Sequence, residues 1–191
     1  DTNTNIIARF IREATLAAEL SRRHKRIVPV LDFGEVGGWY YMTMPRMKGT
    51  LHDRRLIGKI PTKEAIYYFY KLARIVSLLH RDGIIHRDIK MENTFFNNHD
   101  VLLLGDLGVV HIPWEPITNF GDAIGTVGYM PRAQLEGNPA EIHYDIFALG
   151  VLLYSMIIDS LSDIPNELIV DEVSGVPVLL PNKENNTISL P

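Results

Sequence analysis

The sequence predicts an α+β fold in two unequal parts, a small part that contains strands and a larger part that is mostly helical. A helical pattern over residues 6–26 is followed by a hairpin pattern over residues 27–44. Residues 45–49 contain Pro and Gly, which break regular structure. Beyond them, residues 61–81 and 145–158 have the apolar spacing or apolar content of helices. Residues 45–49 are therefore interpreted as a hinge between two lobes.

The small part is predicted to comprise residues 1–44. Its helix has apolar side chains on one broad face, and its first five residues are polar and expected to fray. The hairpin consists of a predicted strand at residues 27–33, a Gly-containing turn at residues 34–38 and a second strand at residues 39–44. Because a two-stranded hairpin leaves sheet edges unpaired, either aggregation or the binding of a partner is expected at this edge.

The larger part is predicted to comprise residues 50–158, and residues 159–191 form a C-terminal segment of uncertain structure. A short helix is expected at residues 50–57. The clearest helix begins at Pro61 and ends before Gly83, a residue type that commonly terminates helices. The buried helix over residues 145–158 completes this part. Short strands are expected at Ile84–Ile85, Phe95–Phe96 and Val101–Leu104.

The composition excludes several kinds of site. The 191 residues carry a net charge of −4 and no long basic stripe, so no nucleic-acid surface is expected. The short basic cluster Arg22–Arg26 is interpreted as a solvated helix end, where cations complement the helix dipole. The absence of Cys excludes disulfides and fits the reducing cytoplasm, which is the expected location. No apolar run reaches the roughly 18 residues of a membrane span.

Two motifs carry the residue types that phosphoryl transfer requires. The pattern H-R-D-x-K-x-x-N ends at Asn93, and the pattern D-x-G begins at Asp106, thirteen residues later. Asp88 can accept the proton of a hydroxyl group, and Lys90 can neutralise charge on the moving phosphoryl group. Asn93 and Asp106 offer hard oxygen ligands that suit Mg²⁺. Each residue alone is compatible with an ordinary loop, but the ordered set indicates phosphoryl transfer.

These motifs resemble those of the eukaryotic-type (Hanks-type) Ser/Thr protein kinase family, especially its bacterial members. The resemblance spans about Phe10 to Tyr154 and is most specific at the catalytic motifs. It implies a bilobal protein-kinase-like fold with a partial small lobe. It also implies ATP- and Mg²⁺-dependent transfer of a phosphoryl group to Ser or Thr hydroxyls of protein substrates.

The resemblance assigns roles to residues outside the central motifs. Glu13 matches the glutamate of the regulatory helix, which in the family pairs with a third-strand lysine that holds the α- and β-phosphates. Thr126 matches the residue that bridges Asp88 and Lys90. Asp145 matches the aspartate that supports the catalytic loop through backbone hydrogen bonds. His86 matches a histidine with a structural role.

The hinge and the activation loop are also placed by the resemblance. Thr43 is implied to be the gatekeeper, and the backbone groups of Met44 and Arg46 are implied to bind adenine. Arg87 precedes the catalytic aspartate, as in kinases that are controlled by phosphorylation of the activation loop. That loop is expected at about residues 109–124, with Thr118 as its candidate phosphorylation site.

Three departures from the family pattern are visible. No Gly-rich loop and no third-strand lysine precede Glu13, because only twelve residues lie before it. The usual A-P-E reads Pro131-Arg132-Ala133 and therefore lacks its glutamate. The late helices of the large lobe have no counterpart after Tyr154. The chain alone is therefore expected to show little phosphotransfer.

Two alternatives to an active protein kinase remain open from the sequence. A pseudokinase that acts as a binding or scaffold module is favoured by the missing strands. It is disfavoured by the presence of Asp88, Lys90, Asn93 and Asp106 together. A small-molecule phosphotransferase with the same fold is disfavoured because such enzymes usually lack a lysine two residues after the catalytic aspartate.

Overall fold

The computed structural model describes residues 2–107, 125–126, 128–158, 168–170 and 177–179. Its helices are α1 (Thr2–Arg23), α2 (Leu51–Ile57), α3 (Thr62–Arg81), α4 (Arg132–Leu135) and α5 (Ile142–Ile157). Its strands are β1 (Asp32–Val36), β2 (Trp39–Thr43), β3 (Gly49–Thr50), β4 (Thr94–Phe96), β5 (Leu102–Leu104), β6 (Leu168–Val170) and β7 (Pro177–Leu179). A small part with a hairpin and a larger helical part confirm the predicted α+β class.

Helix α1 differs from its predicted bounds at both ends. The helix includes residues 2–5, before its predicted start, and it ends at Arg23 instead of continuing to residue 26. The next residues leave the helix to join strand β5. Ile27 forms a parallel bridge with Leu104, and the N–H of Val28 donates to the carbonyl of Leu104 at 2.8 Å. Non-local strand contacts therefore end the helix earlier than its local pattern suggests.

The hairpin begins later than predicted. Strand β1 starts at Asp32, so the predicted strand at residues 27–33 is wrong over most of its length. Pro29 lies in that segment and has no N–H to donate to a strand neighbour. The turn is the pair Gly37 and Gly38, with φ angles of 58° and 83°. Two consecutive positive φ angles match the right-handed twist of a tight hairpin, and glycine adopts them without strain.

The two central helices of the larger part begin where local signals place them. The Thr50 side chain accepts from the N–H of Asp53, and the Asp53 carboxylate accepts from the N–H of Thr50, which forms a capping box for α2. Helix α3 follows Pro61, and Gly83 lies just beyond it with a φ of 73°. The predicted helices at residues 50–57 and 61–81 are thus confirmed.

A three-stranded sheet in the order β3–β4–β5 lies beside these helices. Gly49 pairs with Phe96, so the last residue of the predicted hinge belongs to this sheet. Strands β4 and β5 are joined antiparallel, with Thr94 opposite Leu104. They confirm two of the predicted short strands, whereas Ile84–Ile85 lies outside the named strands. The N–H of Gly105, directly after β5, donates to the carbonyl of Asn93 at 2.9 Å, which connects the loop of residues 86–93 to this sheet.

The core of the larger part lies between α3 and α5. Helix α5 begins at Ile142, three residues before its predicted start, and it is the apolar, largely buried helix that the sequence indicates. Arg55 of α2 is buried and donates to the carbonyls of Ser155 and Ile158, each at 2.9 Å. A cation at a helix C-terminus offsets the partial negative charge of the terminal carbonyls. Arg55 therefore joins α2 to the end of α5.

Some predicted features lie outside the described residues. The predicted activation loop at residues 109–124, with Thr118, is one of them. In the predicted C-terminal segment, β6 and β7 pair antiparallel. No helix in the described ranges has both the length and the apolar content needed to cross a membrane.

Candidate active site

A fully buried carboxylate holds the loop that carries the H-R-D motif. Asp145 of α5 accepts hydrogen bonds from the backbone N–H groups of His86, at 2.9 Å, and Arg87, at 2.8 Å. The Nε2 atom of His80, at the end of α3, lies 2.7 Å from the same carboxylate. Arg87 has a φ of 70°, an unfavourable conformation for a non-glycine residue. These bonds hold the turn in this conformation immediately before Asp88.

The His86 side chain links this loop to the segment that carries Asp106. The ring is fully buried, and Nε2 lies 3.1 Å from the carbonyl of Gly105, which can only accept. Burial lowers the pKa of His86, while nearby carboxylates and the Gly105 bond act in the opposite direction. The neutral ring with a proton on Nε2 fits this environment. His86 therefore aligns two loops and is not placed as a base.

Asp88 is surrounded by three donors. Thr126 Oγ1 donates to Oδ1 at 2.6 Å, Lys90 Nζ lies 2.8 Å from Oδ2, and Asn93 Nδ2 donates to Oδ2 at 2.8 Å. Burial of the carboxyl acts to raise its pKa, but the bonds from Lys90, Thr126 and Asn93 outweigh it, so the pKa is lowered. Asp88 is consequently ionised at neutral pH and able to accept another hydrogen bond.

Lys90, Thr126 and Asp88 form a closed set of contacts. Lys90 Nζ donates to Thr126 Oγ1 at 2.6 Å as well as contacting Asp88. Thr126 reaches this position because Gly125 before it passes close to the catalytic loop. A Cβ on Gly125 would lie 2.6 Å from the carbonyl oxygen of Arg87, and its φ is 135°. The structure thus brings together three of the predicted catalytic residues.

Asn93 and Asp106 offer oxygen atoms suited to a divalent cation. Both Nδ2 hydrogen bonds of Asn93 go to Asp88, to its backbone carbonyl at 2.9 Å and to its carboxylate, which leaves Oδ1 as a ligand atom. Asp106 is exposed, and its φ of 56° is tolerated by Asp and Asn better than by other non-glycine residues. Mg²⁺ commonly takes one or two protein oxygens together with phosphate oxygens. The two side chains therefore fit Mg²⁺.

A cavity of about 550 Å³ lies between α1, the hinge and these oxygen ligands. Its wall is mostly apolar, and its polar side chains are Glu13, Asn93 and Asp106. Within the described residues, no Lys or Arg lines it. This volume and an apolar wall with few polar groups are typical of small-molecule sites. The predicted site residues Glu13, Asn93 and Asp106 thus share one cavity.

The hinge faces the cavity in a different register from the one predicted. Met42, Met44 and Pro45 line the cavity, whereas Thr43 does not. The Thr43 side chain is exposed, and its hydroxyl donates to the carbonyl of Asp32 at 3.3 Å. Since side chains alternate along a strand, Met42 points inward where Thr43 points outward. Thr43 thus lies outside the cavity wall, and its role as the gatekeeper stays a prediction. Arg46 is exposed and outside the lining.

Two supporting residues were not identified from the sequence. Gln134 of α4 is 3% exposed, and its Nε2 donates to the carbonyl of Arg87 at 2.9 Å. It lies directly after Pro131-Arg132-Ala133, where the usual glutamate is missing. His80 contacts Asp145 as described above. No local signal marks either residue, because both act through partners that are distant in the sequence.

Comparison with known proteins identifies the family of this chain. The family model described as "Protein kinase domain" matches residues 1–166. The chain belongs to the protein kinase family. The kinase motifs identified in the sequence are thereby confirmed as marks of that family, and the bilobal α+β fold is the one expected for it.

Several curated relatives of this kinase chain are bacterial proteins. A probable serine/threonine-protein kinase of Clostridium acetobutylicum is 30% identical over 192 residues, covering 96% of this chain and 28% of that protein. The serine/threonine-protein kinase PknD of Mycobacterium tuberculosis is 32% identical over 149 residues, covering 76% of this chain and 22% of that protein. The probable serine/threonine-protein kinase PknB of Lactococcus lactis is 31% identical over 154 residues, covering 79% and 24%. The kinase chain spans about a quarter of the length of these relatives.

Proposed function

We propose that this chain supplies the catalytic part of a serine/threonine protein kinase, which transfers the γ-phosphoryl group of ATP to Ser or Thr hydroxyls of proteins. The set of contacts around Asp88 carries the proposal. Thr126 Oγ1 lies 2.6 Å from one carboxylate oxygen, and Lys90 Nζ lies 2.8 Å from the other. Asn93 connects this set to the cavity that contains Asp106.

Asp88 orients the substrate hydroxyl. A carboxylate has about four lone-pair positions. Thr126 occupies one on Oδ1, while Lys90 and Asn93 occupy both on Oδ2. The remaining position on Oδ1 accepts the substrate O–H and directs its oxygen towards phosphorus. Because its pKa is lowered, Asp88 is a weak base, and it takes the proton late, as the new O–P bond forms.

Lys90 places a positive charge beside the same hydroxyl. Its Nζ is fixed by Thr126 and Asp88, so it needs no reorientation when negative charge develops on the transferred group. Mg²⁺, when bound by Asn93 Oδ1 and Asp106, would neutralise part of the charge of the triphosphate.

The hinge binds adenine through its backbone. Pro45 has no N–H, and the carbonyl of Thr43 already accepts from the N–H of Leu31 at 2.8 Å. As the family resemblance implies, the backbone groups of Met44 and Arg46 are the proposed partners of adenine, with Met42 and Met44 against its faces or edge. Glu13 is proposed to fix a lysine that the described cavity wall does not contain.

The test of this function is Asp88→Asn in a form of the protein that is active. The substitution keeps the shape of the side chain but weakens acceptance of the hydroxyl proton, so kcat is expected to fall about 10²- to 10⁴-fold with ATP affinity nearly unchanged. Glu92→Gln, on an exposed residue of the same loop, is the matched control. Near-full activity of Asp88→Asn would refute the assignment.

Activity assays with an active form of the protein distinguish a protein kinase from the two alternatives, a pseudokinase and a small-molecule phosphotransferase. A pseudokinase binds nucleotide without turnover, and a small-molecule phosphotransferase phosphorylates small alcohols in preference to Ser/Thr peptides. The chain alone is expected to show little phosphotransfer, because its described cavity wall has two carboxylates and no cation to hold a triphosphate. Robust turnover by the chain alone, abolished in Asp88→Asn, would show that another group replaces the lysine.

Two further expectations accompany this proposal. Within the described ranges, the hairpin β1–β2 forms a sheet of two strands, and Trp39 at its turn is 81% exposed, which supports the addition of a strand or partner at its edge. A cytoplasmic location stays a prediction from the sequence.

A further inference from the structure

A second cavity lies on α3, outside the nucleotide site. It has a volume of about 230 Å³ and shares no lining residue with the nucleotide cavity. Its wall comprises Arg26, Lys71, Arg74, Ile75, Leu78 and Leu102, and these six residues are called the basic cleft. Arg26 follows α1, Leu102 opens β5, and the other four belong to α3. The cleft is therefore assembled from three separate elements.

The charged residues of the basic cleft all have the same sign. Arg26, Lys71 and Arg74 contribute three positive charges, and no Asp or Glu lines the cleft. Within the described part of the chain, none of the three forms an ion pair. By contrast, Arg23, Lys48 and Arg54 each lie within 4.0 Å of a carboxylate. In a chain with a net charge of −4, a cavity lined by three such cations is a local exception.

Apolar and aromatic groups complete the cleft. Ile75 and Leu102 are each 4% exposed and form its base, while Leu78 is 40% exposed at its rim. Lys71 Nζ lies 5.1 Å from the ring centre of Tyr67, and the Arg74 guanidinium lies 5.9 Å from that of Tyr70. Cations next to aromatic rings at such distances are weakly attracted to them. The two cations are thereby supported in position beside the base.

We propose that the basic cleft binds a phosphorylated peptide, with the phosphate of a phosphoserine or phosphothreonine held by Arg26, Lys71 and Arg74. A phosphate monoester carries a charge of about −1.5 to −2 at pH 7 and three acceptor oxygens. It therefore complements three cations better than a single carboxylate ligand would. The forked donors of arginine suit phosphate in particular. The volume is below the roughly 300–1,000 Å³ of sites for whole small molecules but has room for a phosphate group.

A peptide is favoured over a free ion because the surface continues beyond the phosphate position. Leu78 at the rim and the half-exposed Tyr67 and Tyr70 on the same helix offer contact area to residues that flank the phosphate. An apolar side chain next to the phosphorylated residue would cover Leu78. The proposal is independent of phosphoryl transfer by this chain, because the probes below carry their own phosphate.

The test measures binding of a labelled pentapeptide with one phosphothreonine between two leucines, and of its unphosphorylated twin, by fluorescence anisotropy with the full chain. The phosphorylated peptide is expected to bind with a Kd below about 1 mM, at least about tenfold tighter than the twin. Lys71→Gln combined with Arg74→Gln is expected to weaken binding of the phosphorylated peptide roughly tenfold or more. Lys63→Gln combined with Arg81→Gln makes the same change of charge on exposed positions of α3 outside the cleft, and is expected to have little effect.

Two further arms separate a peptide site from other anion sites. Leu78→Ala is expected to weaken binding of the phosphopeptide several-fold but to leave competition by inorganic phosphate unchanged. Circular dichroism melts establish that each variant remains folded. The proposal would be overturned if the two double variants lost the same affinity for the phosphopeptide, or if both peptides bound with equal affinity. It would also be overturned if Leu78→Ala weakened competition by inorganic phosphate as much as it weakened binding of the phosphopeptide. If a single-stranded oligonucleotide bound more tightly than the phosphopeptide, and if Lys71→Gln combined with Arg74→Gln abolished this binding, the cleft would be a nucleic-acid site instead.

Discussion

Asp145 Oδ1 accepts a hydrogen bond of 2.8 Å from the backbone N–H of Arg87, 58 residues earlier in the chain. Its second oxygen accepts from the N–H of His86 and lies 2.7 Å from Nε2 of His80. One carboxylate in the core therefore joins the end of α3, the catalytic loop and α5. The direction in which the chain enters Asp88 is decided by this contact.

Asp145→Asn is expected to destabilise the fold. The amide must place its NH₂ group against a backbone N–H or against His80, so at least one buried donor loses its acceptor. Each unsatisfied buried group costs about 1–3 kcal/mol. Asp100→Asn is the control, because Asp100 is exposed and its ion pairs with Lys48 and Arg54 are screened by solvent and contribute little to stability. Urea unfolding measures both, and similar midpoints for the two variants would contradict the role of Asp145.

Gly105→Ala is expected to close part of the nucleotide cavity. A Cβ at this position would lie 2.7 Å from a ring carbon of Phe95 and 2.9 Å from Cγ2 of Val28, so at least one of these side chains must move. We expect weaker ATP binding and a destabilisation of about 1–3 kcal/mol from overpacking. Gly150→Ala is the contrasting variant: nothing lies within 4 Å of its Cβ, and alanine in a helix stabilises by roughly 0.5–1 kcal/mol.

Asp106→Asn tests the proposed metal ligand without disturbing the backbone. Asn tolerates the φ of 56° at this position as well as Asp does, whereas Ala would add strain. Removal of one negative charge from a hard-cation site should sharply lower the Mg²⁺-dependent affinity for ATP and leave the metal-free affinity nearly unchanged. Isothermal titration calorimetry with Mg²⁺ and with EDTA separates the two. Equal Mg²⁺–ATP affinity in the variant and the parent would exclude Asp106 as a ligand.

The stability of the fold is expected to fall as the pH falls below about 6.5, the ordinary pKa of histidine. Burial lowers the pKa of His86 in the folded state, so below this pH the unfolded chain binds a proton that the folded chain resists. The unfolded state then binds more protons, and its free energy decreases relative to that of the folded state. The contribution of His86 is present above this pH and is lost below it.

Unfolding in urea between pH 7.5 and 5.5 measures this effect. His86→Gln should be less stable at pH 7.5 but show a flatter pH dependence, because the buried imidazole of His86 is no longer there to be protonated. His99→Gln, at an exposed turn position, should keep the slope of the parent. A parent-like slope in His86→Gln would assign the pH dependence to other groups.

Gln134→Leu is expected to lower kcat more than it changes the KM for ATP in an active form of the protein. Leucine is similar in size but cannot donate to the carbonyl of Arg87, so the catalytic loop loses one tether and Asp88 is less well oriented. Steady-state kinetics give the two parameters. Arg132→Gln, which breaks an exposed pair with Glu136 on the same helix, is the control. An unchanged kcat in Gln134→Leu would limit this residue to a structural role.

Local sequence signals determined several elements and the identity of the catalytic set. The capping box of Thr50 and Asp53 and the pair of Pro61 and Gly83 are contained within a few residues, and both helices that they bound are present. Asp88, Lys90, Asn93 and Asp106 lie at spacings that identify the family, and the protein kinase domain match agrees. Such features depend on the chain near each residue, so the sequence is sufficient.

Contacts between distant residues decided what the sequence did not. The register of β1 and β2 makes Met42 face the cavity in place of Thr43, because a shift of one residue exchanges the two faces of a strand. The residues after α1 join β5 through Ile27, and Gln134 and His80 reach the catalytic loop from helices far away in the sequence. The positions of these residues depend on partners that are distant in the sequence. The hydrogen bonds between them become strong only when folding has buried them away from water.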